Sequence, residues 1–152
     1  EMVQDILNKY KHILPKEKIS ELAKASQLES YGYSIAAFLY YRRIFEIIIF
    51  KTFQNASITN KISEIDFRNR RMDDKLKYVD EYLPNYFKEN SQMYGTLSKA
   101  VHELEEEECR EYLPIVQAIL FYSLDEAVDK RNHDLRKQEL SKKLKDINTK
   151  IK

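Results

Sequence analysis

Twenty-one residues in the first third of the chain, Tyr33–Phe53 (YSIAAFLYYRRIFEIIIFKTF), constrain the fold more than any other stretch. Wound as a helix at about 100° per residue, they place Ile35, Phe38, Leu39, Ile49 and Phe53 on one side. Ala36, Tyr40, Ile47 and Phe50 fall on a second side, and Ala37, Ile44 and Ile48 on a third. A helix apolar all round is a central helix, packed by neighbours on several sides. Arg42, Arg43 and Glu46 interrupt it, and the apolar run they leave is too short for a membrane span. The spacings of four (Arg42–Glu46) and three (Arg43–Glu46) let either arginine meet the carboxylate on the helix. A buried charge is costly unless paired, so the sequence predicts a buried ion pair that pins this helix to its neighbours.

A chain of 152 residues suits one domain with a real core. Only two glycines and three prolines punctuate it, which disfavours many short strands joined by tight turns. The net charge of +1 gives no global pull toward nucleic acid or an acidic membrane. The single cysteine, Cys109, rules out an internal disulfide and fits a reducing cytoplasm. The opening EMVQDILNKYK reads as an amphipathic helix rather than a secretory leader, and a start at Glu1 fits a piece of a longer parent chain.

Periodicity places the other helices. Val3, Ile6, Leu7 and Tyr10 keep helical spacing up to Pro15, which suits the first turn of a helix over Lys16–Leu28. Gly32 separates that helix from the central one, which ends around Gln54–Asn60. Lys61–Arg71 is weakly patterned, and its FRNRRM run reads as a solvated loop. Helices over Met72–Leu83 and Gln92–Leu104 flank a short apolar anchor, Tyr86–Phe87. A further apolar helix through Ile115–Leu124 carries Pro114 best in its first turn. After Asp125, Val128, Leu135, Leu140, Leu144, Ile147 and Ile151 form a narrow seam on a long charged helix. The last four keep the spacing of a short coiled coil, which predicts a homodimer in which this tail takes part.

Three groups of residues could carry chemistry. Arg42, Arg43 and Glu46 could form a polar site in the bundle, where a guanidinium fork suits phosphate or carboxylate. Tyr94, Ser98, His102 and Glu106 share one stripe if their helix continues. A straight stripe has the wrong geometry for a hydrolase triad, and His102 with Glu106 offers two metal ligands and no third. Arg68, Arg70 and Arg71, beside Phe67, are candidate contacts for RNA or a phosphate, with Tyr94 a further weak one. No glycine-rich phosphate loop, CxxC or HExxH motif is present, so no cofactor or metal is expected.

Two segments together, AFLYYRRIFE and YGTLSKAVHELEEEEC, resemble an uncharacterised bacterial helical domain. The matching residues are Phe38, Arg42, Arg43 and Glu46, then Tyr94, Leu97, Ser98, His102, Glu103, Leu104, Glu106–Glu108 and Cys109, within a region of about Tyr31–Glu126. More distantly, the chain resembles the HEPN superfamily of helical bundles. The residue pattern itself gives an all-α bundle of five to seven helices over 1–126, with a long charged helical extension of the same domain over 127–152, and the resemblance agrees with it. The resemblance also implies dimerisation and a role in bacterial defence or as a toxin, binding RNA or cutting it without metal. His102, Arg43, Arg42, Glu46 and Ser98 would then be the catalytic set, with arginine neutralising phosphate and His102 moving a proton. Metal-free ribonucleases of the superfamily use Arg-x4–6-His, and here Gly95, Thr96 and Leu97 stand where that arginine would be. The alternative is a non-enzymatic oligomerisation or regulatory module in which the same polar residues are structural.

Overall fold

A computed structural model describes residues 2–56 and 61–151. Among them the chain is all helix: α1 (Met2–Tyr10), α2 (Lys16–Ser30), α3 (Ser34–Asn55), α4 (Glu64–Arg68), α5 (Met72–Val79), α6 (Asn85–Glu89), α7 (Met93–His102) and α8 (Glu106–Ile151), with a 3-10 turn at Asp80–Tyr82. Eight helices stand where five to seven were expected, because two five-residue helices form inside stretches read as a loop and an anchor. No helix among the described residues is long and apolar enough to cross a membrane.

The α2–α3 hairpin turns on Gly32, at φ 84°. Its N–H donates to the Glu29 carbonyl (3.0 Å), and that of Tyr33 to the Leu28 carbonyl (2.9 Å). This pairing closes a helix through one left-handed residue, a conformation natural to glycine. The next helix, α3, is central as its sequence demanded. Phe38, Tyr41, Ile44, Phe45, Ile49 and Phe53 have no exposed surface, and α2, α5, α7 and α8 pack against it. It is not sealed all round, however: Leu39 and Arg43 reach solvent.

FRNRRM is a solvated connection only in its middle: Arg68–Arg71 are exposed and Asn69–Arg71 link two helices, while Phe67 and Met72 at its ends are buried. Ser63 caps α4 by accepting the Asp66 N–H at 3.2 Å, and Phe67 is buried with its ring flat on Phe53, 4.0 Å between centroids. One aromatic decides the segment's fate, because burying a phenyl ring outweighs weak helical patterning. Phe87 of α6 stacks on Phe45 at 4.5 Å. Helix α7 stops at His102 instead of running on through Leu104. The N–H groups of Glu103 and Leu104 both fall back on the Lys99 carbonyl, and Glu108 accepts the Glu105 N–H at 3.3 Å. That single side-chain cap starts a new helix, which the acidic run Glu105–Glu108 favours at its positive end.

The new helix, α8, is 46 residues long, about 69 Å at 1.5 Å per residue. Pro114 lies nine residues in, not in the first turn. It cannot donate to the Arg110 carbonyl, but the position is exposed, so water can satisfy that oxygen. The first half of α8 buries Cys109, Leu113, Val116, Leu120 and Leu124. Asp125 ties it to α1, accepting the Tyr10 hydroxyl at 2.6 Å and the Lys9 ammonium at 2.9 Å. The helix then leaves the bundle without a break at 126–127, and every described residue from Asn132 on is exposed.

Candidate functional site

The two adjacent arginines of α3 point to different neighbours, as a 100° step between consecutive residues requires. Arg42 faces α7. Its Nε donates to Glu46 Oε1 at 3.2 Å and its Nη2 to the Tyr94 hydroxyl at 3.3 Å. Its guanidinium also lies 5.7 Å from the Tyr94 ring centre, a cation–π distance. Tyr94 in turn packs on Phe45 at 5.4 Å, so this cluster is bolted to the core. Arg43 faces α2, 3.6 Å from Glu21 and over the Tyr40 ring at 5.4 Å.

The ion pair formed is therefore Arg42–Glu46, and it is not buried: the Glu46 side chain is 44% exposed. A pair so open to water contributes little, which corrects the expectation of a buried charge pair. Ser98 is half-buried and His102 exposed. Neither makes a side-chain hydrogen bond among the described residues. Tyr94 is the α7 residue to which Arg42 hydrogen-bonds, and His102 lies eight residues further along, about 12 Å.

The proposed stripe Tyr94–Ser98–His102–Glu106 breaks at its end, because Glu106 belongs to α8. There its Oε2 accepts the Ile35 N–H at 2.9 Å, closing the first turn of α3. Most of the longer motif proves architectural. Leu97 and Cys109 are fully buried, Cys109 Sγ lies 3.7 Å from the Ala100 carbonyl, and Glu108 caps α8. Burial first, then Glu106 and Glu108, push the Cys109 thiol above its ordinary pKa, which disfavours the thiolate.

The basic run is also partly neutralised in place. Arg68 pairs with Glu64 at 3.2 Å and stacks over Phe50 at 4.1 Å, and Arg70 lies 3.7 Å from Asp74. Arg71 is exposed. A polar group the sequence did not mark sits between α2 and α3. The Tyr41 hydroxyl donates to Glu29 at 3.3 Å and lies 3.4 Å from Ser26 Oγ. Burial raises the Tyr41 hydroxyl, and burial also raises the Glu29 carboxyl against the opposing pull of that hydrogen bond. Tyr41 hides in a run of aromatics, and nothing local in the sequence separates it from Tyr40.

Among the grooves formed by the described residues are two that take in none of Arg42, Arg43, Glu46, Ser98 and His102. One, of about 880 Å³, lies where α8 leaves the bundle, among Lys51, Asn55, Leu83, Lys130 and Arg131. The other, of about 310 Å³ and mostly apolar, runs between α7 and α8 along Met93, Thr96, Tyr112, Ile115 and Ile119. Comparison with family models, curated proteins and solved structures found no match to this chain.

Proposed function

We propose that this chain is a non-enzymatic interaction module that pairs with a second copy through the projecting part of α8. One observation carries the reading: past Gln138, which still lines the groove beside the bundle, α8 runs on for about 20 Å with Leu140, Leu144, Ile147 and Ile151 all exposed. So little apolar surface does not hold an isolated helix in water; a partner along the seam does. The polar residues of the two motif segments support the same reading, since Arg42, Glu46, Glu106 and Glu108 each have structural partners. Light scattering tests it. The full chain should run at twice 18.2 kDa, and a chain ending at Arg131 at its single mass with the bundle's melting nearly unchanged. Single-chain mass for both would end the reading.

The second reading is RNA binding by a HEPN-like surface, in the bacterial defence or toxin setting that resemblance implies. The Arg42–Tyr94 stack favours it, because a half-exposed ring under a guanidinium is a platform for an unstacked base. Arg42→Ala and Tyr94→Ala should then each weaken binding of short single-stranded RNA. RNA cut by the wild type and spared by His102→Ala would replace the module reading with a ribonuclease.

A further inference from the structure

Gly95 is a glycine that the fold does not ask for. It is the third residue of α7, it stands exposed, and it lacks the positive φ that Gly32 adopts. A methyl group added there would meet nothing within 4 Å beyond its own stretch of helix. Alanine would therefore fit without strain. It would also remove freedom from the unfolded chain, which stabilises a site of compatible backbone. Neither backbone conformation nor packing within the described chain accounts for the missing side chain. The remaining use of a bare Cα is the close approach of something outside the chain.

The surroundings of Gly95 give that approach a chemistry. Tyr94 stands next to it, half-buried, its ring packed on Phe45 at 5.4 Å and its hydroxyl held by Arg42 Nη2 at 3.3 Å. Lys99 and His102 follow on the same helix, and both are exposed. At about 100° per residue these two and Gly95 lie within roughly 60° of the helix circumference. Neither Lys99 nor His102 enters an ion pair among the described residues. No acidic residue falls between Met93 and His102, and the acids begin only past the end of α7, at Glu103. The face thus presents in turn an arginine-held ring, bare backbone and two basic side chains. A single strand of nucleic acid has the matching parts: a base that stacks on an aromatic ring, and a sugar–phosphate chain drawn to basic groups. A second protein helix would need an apolar seam here, and Ser98, Lys99 and His102 supply none.

We infer that Gly95 stays bare so that single-stranded RNA can lie against α7, one base on Tyr94 and the neighbouring phosphate passing over Gly95 to Lys99. This rests on the RNA reading above and adds the path of the strand and the residue that clears it. A side chain at position 95 would stand between the ring that takes the base and the lysine that takes the phosphate.

The test uses the full chain, thermal melting, and a short fluorescein-labelled oligouridine followed by anisotropy. Gly95→Ala should melt at or above the wild type and yet bind the oligonucleotide about tenfold more weakly, the order lost when a base leaves its aromatic ring. Lys99→Ala should also weaken binding, and should reduce the log–log slope against salt by about 0.7, the single-strand value for one phosphate contact. If Gly95→Ala binds as tightly as the wild type while Tyr94→Ala binds more weakly, the inference is overturned and the RNA reading stands. A Gly95→Ala chain that melts below the wild type would return the glycine to the fold and overturn the inference as well. Should Gly95→Ala instead halve the mass seen by light scattering, the gap belongs to a second copy of the chain and the inference is again overturned. A wild type that binds no oligouridine would sink the inference and the RNA reading together.

Discussion

The two halves of α8 share one unbroken backbone and almost nothing else. From Glu106 to Leu124 the helix sends Cys109, Leu113, Val116, Leu120 and Leu124 into the core. From Asn132 to Ile151 it buries none. Helical spacing is present in both, so spacing alone does not distinguish a wall of the bundle from a projection. The difference lies in the density of the apolar stripe. Positions every three or four residues on the core side anchor the first half, whereas the second has one seam flanked by Arg136, Lys143 and Lys150. A helix belongs to the bundle where several of its rows are apolar, and to whatever meets it where only one is.

The largest expected effect sets the same substitution in the two halves. Leu120→Ala should cost about 2–5 kcal/mol of stability, the range for emptying a core leucine site. Leu144→Ala should stay within about 0.5 kcal/mol, as at an exposed position. Denaturant unfolding of dilute, monomeric samples measures both, and equal losses would break the contrast between the halves.

A middling effect sharpens what the acidic start of α8 does. Glu106→Ala should cost about 1 kcal/mol, since it removes the acceptor for the first turn of α3 and capping losses fall in that range. Glu46→Ala should cost less, about 0.5 kcal/mol, because its ion pair is half open to solvent. Thermal melts that rank the two the other way would return the central ion pair to a structural role.

The smallest effect compares two glutamates by NMR titration. Glu29, in the α2–α3 interface, has its carboxyl raised by burial. The fold therefore disfavours its ionised form: the penalty is in force above the folded pKa and is relieved as pH falls through it. Glu139, on the projecting half, is lowered by its bond to Lys143 and then by Arg136. Its contribution is present above the ordinary carboxylate range and is lost as pH falls through the lowered value. Glu29 should titrate above Glu139, and the reverse order would contradict both environments.

The fold was open to reading wherever apolar residues recur in several rows, as in α3, and wherever glycine or proline stops a helix, as at Gly32 and Pro84. It was hidden where one long-range contact decides, as with Phe67 on Phe53, and where a local cap competes with continuation, as at Glu103–Glu105. The candidate site was half open. The i, i+4 pair Arg42–Glu46 is local geometry and was visible, but its exposure depends on which helices cover α3. That Arg42 takes Tyr94, while His102 stands free two turns away, depends on how α3 and α7 align, which no local spacing encodes.

The tie between α1 and α8 carries a further consequence, for the order in which the chain can assemble as it is made. Tyr10 and Lys9 wait for Asp125, 115 residues later for Tyr10. The α2–α3 hairpin needs only its own turn and can pack as soon as both helices have left the ribosome. Helix α1 can already pack on α2 once that hairpin has formed, and its ties to α8 close only when Asp125 arrives. A ribosome stalled before Asp125 would hold α1 against the hairpin through α2 alone, without the Tyr10 and Lys9 ties.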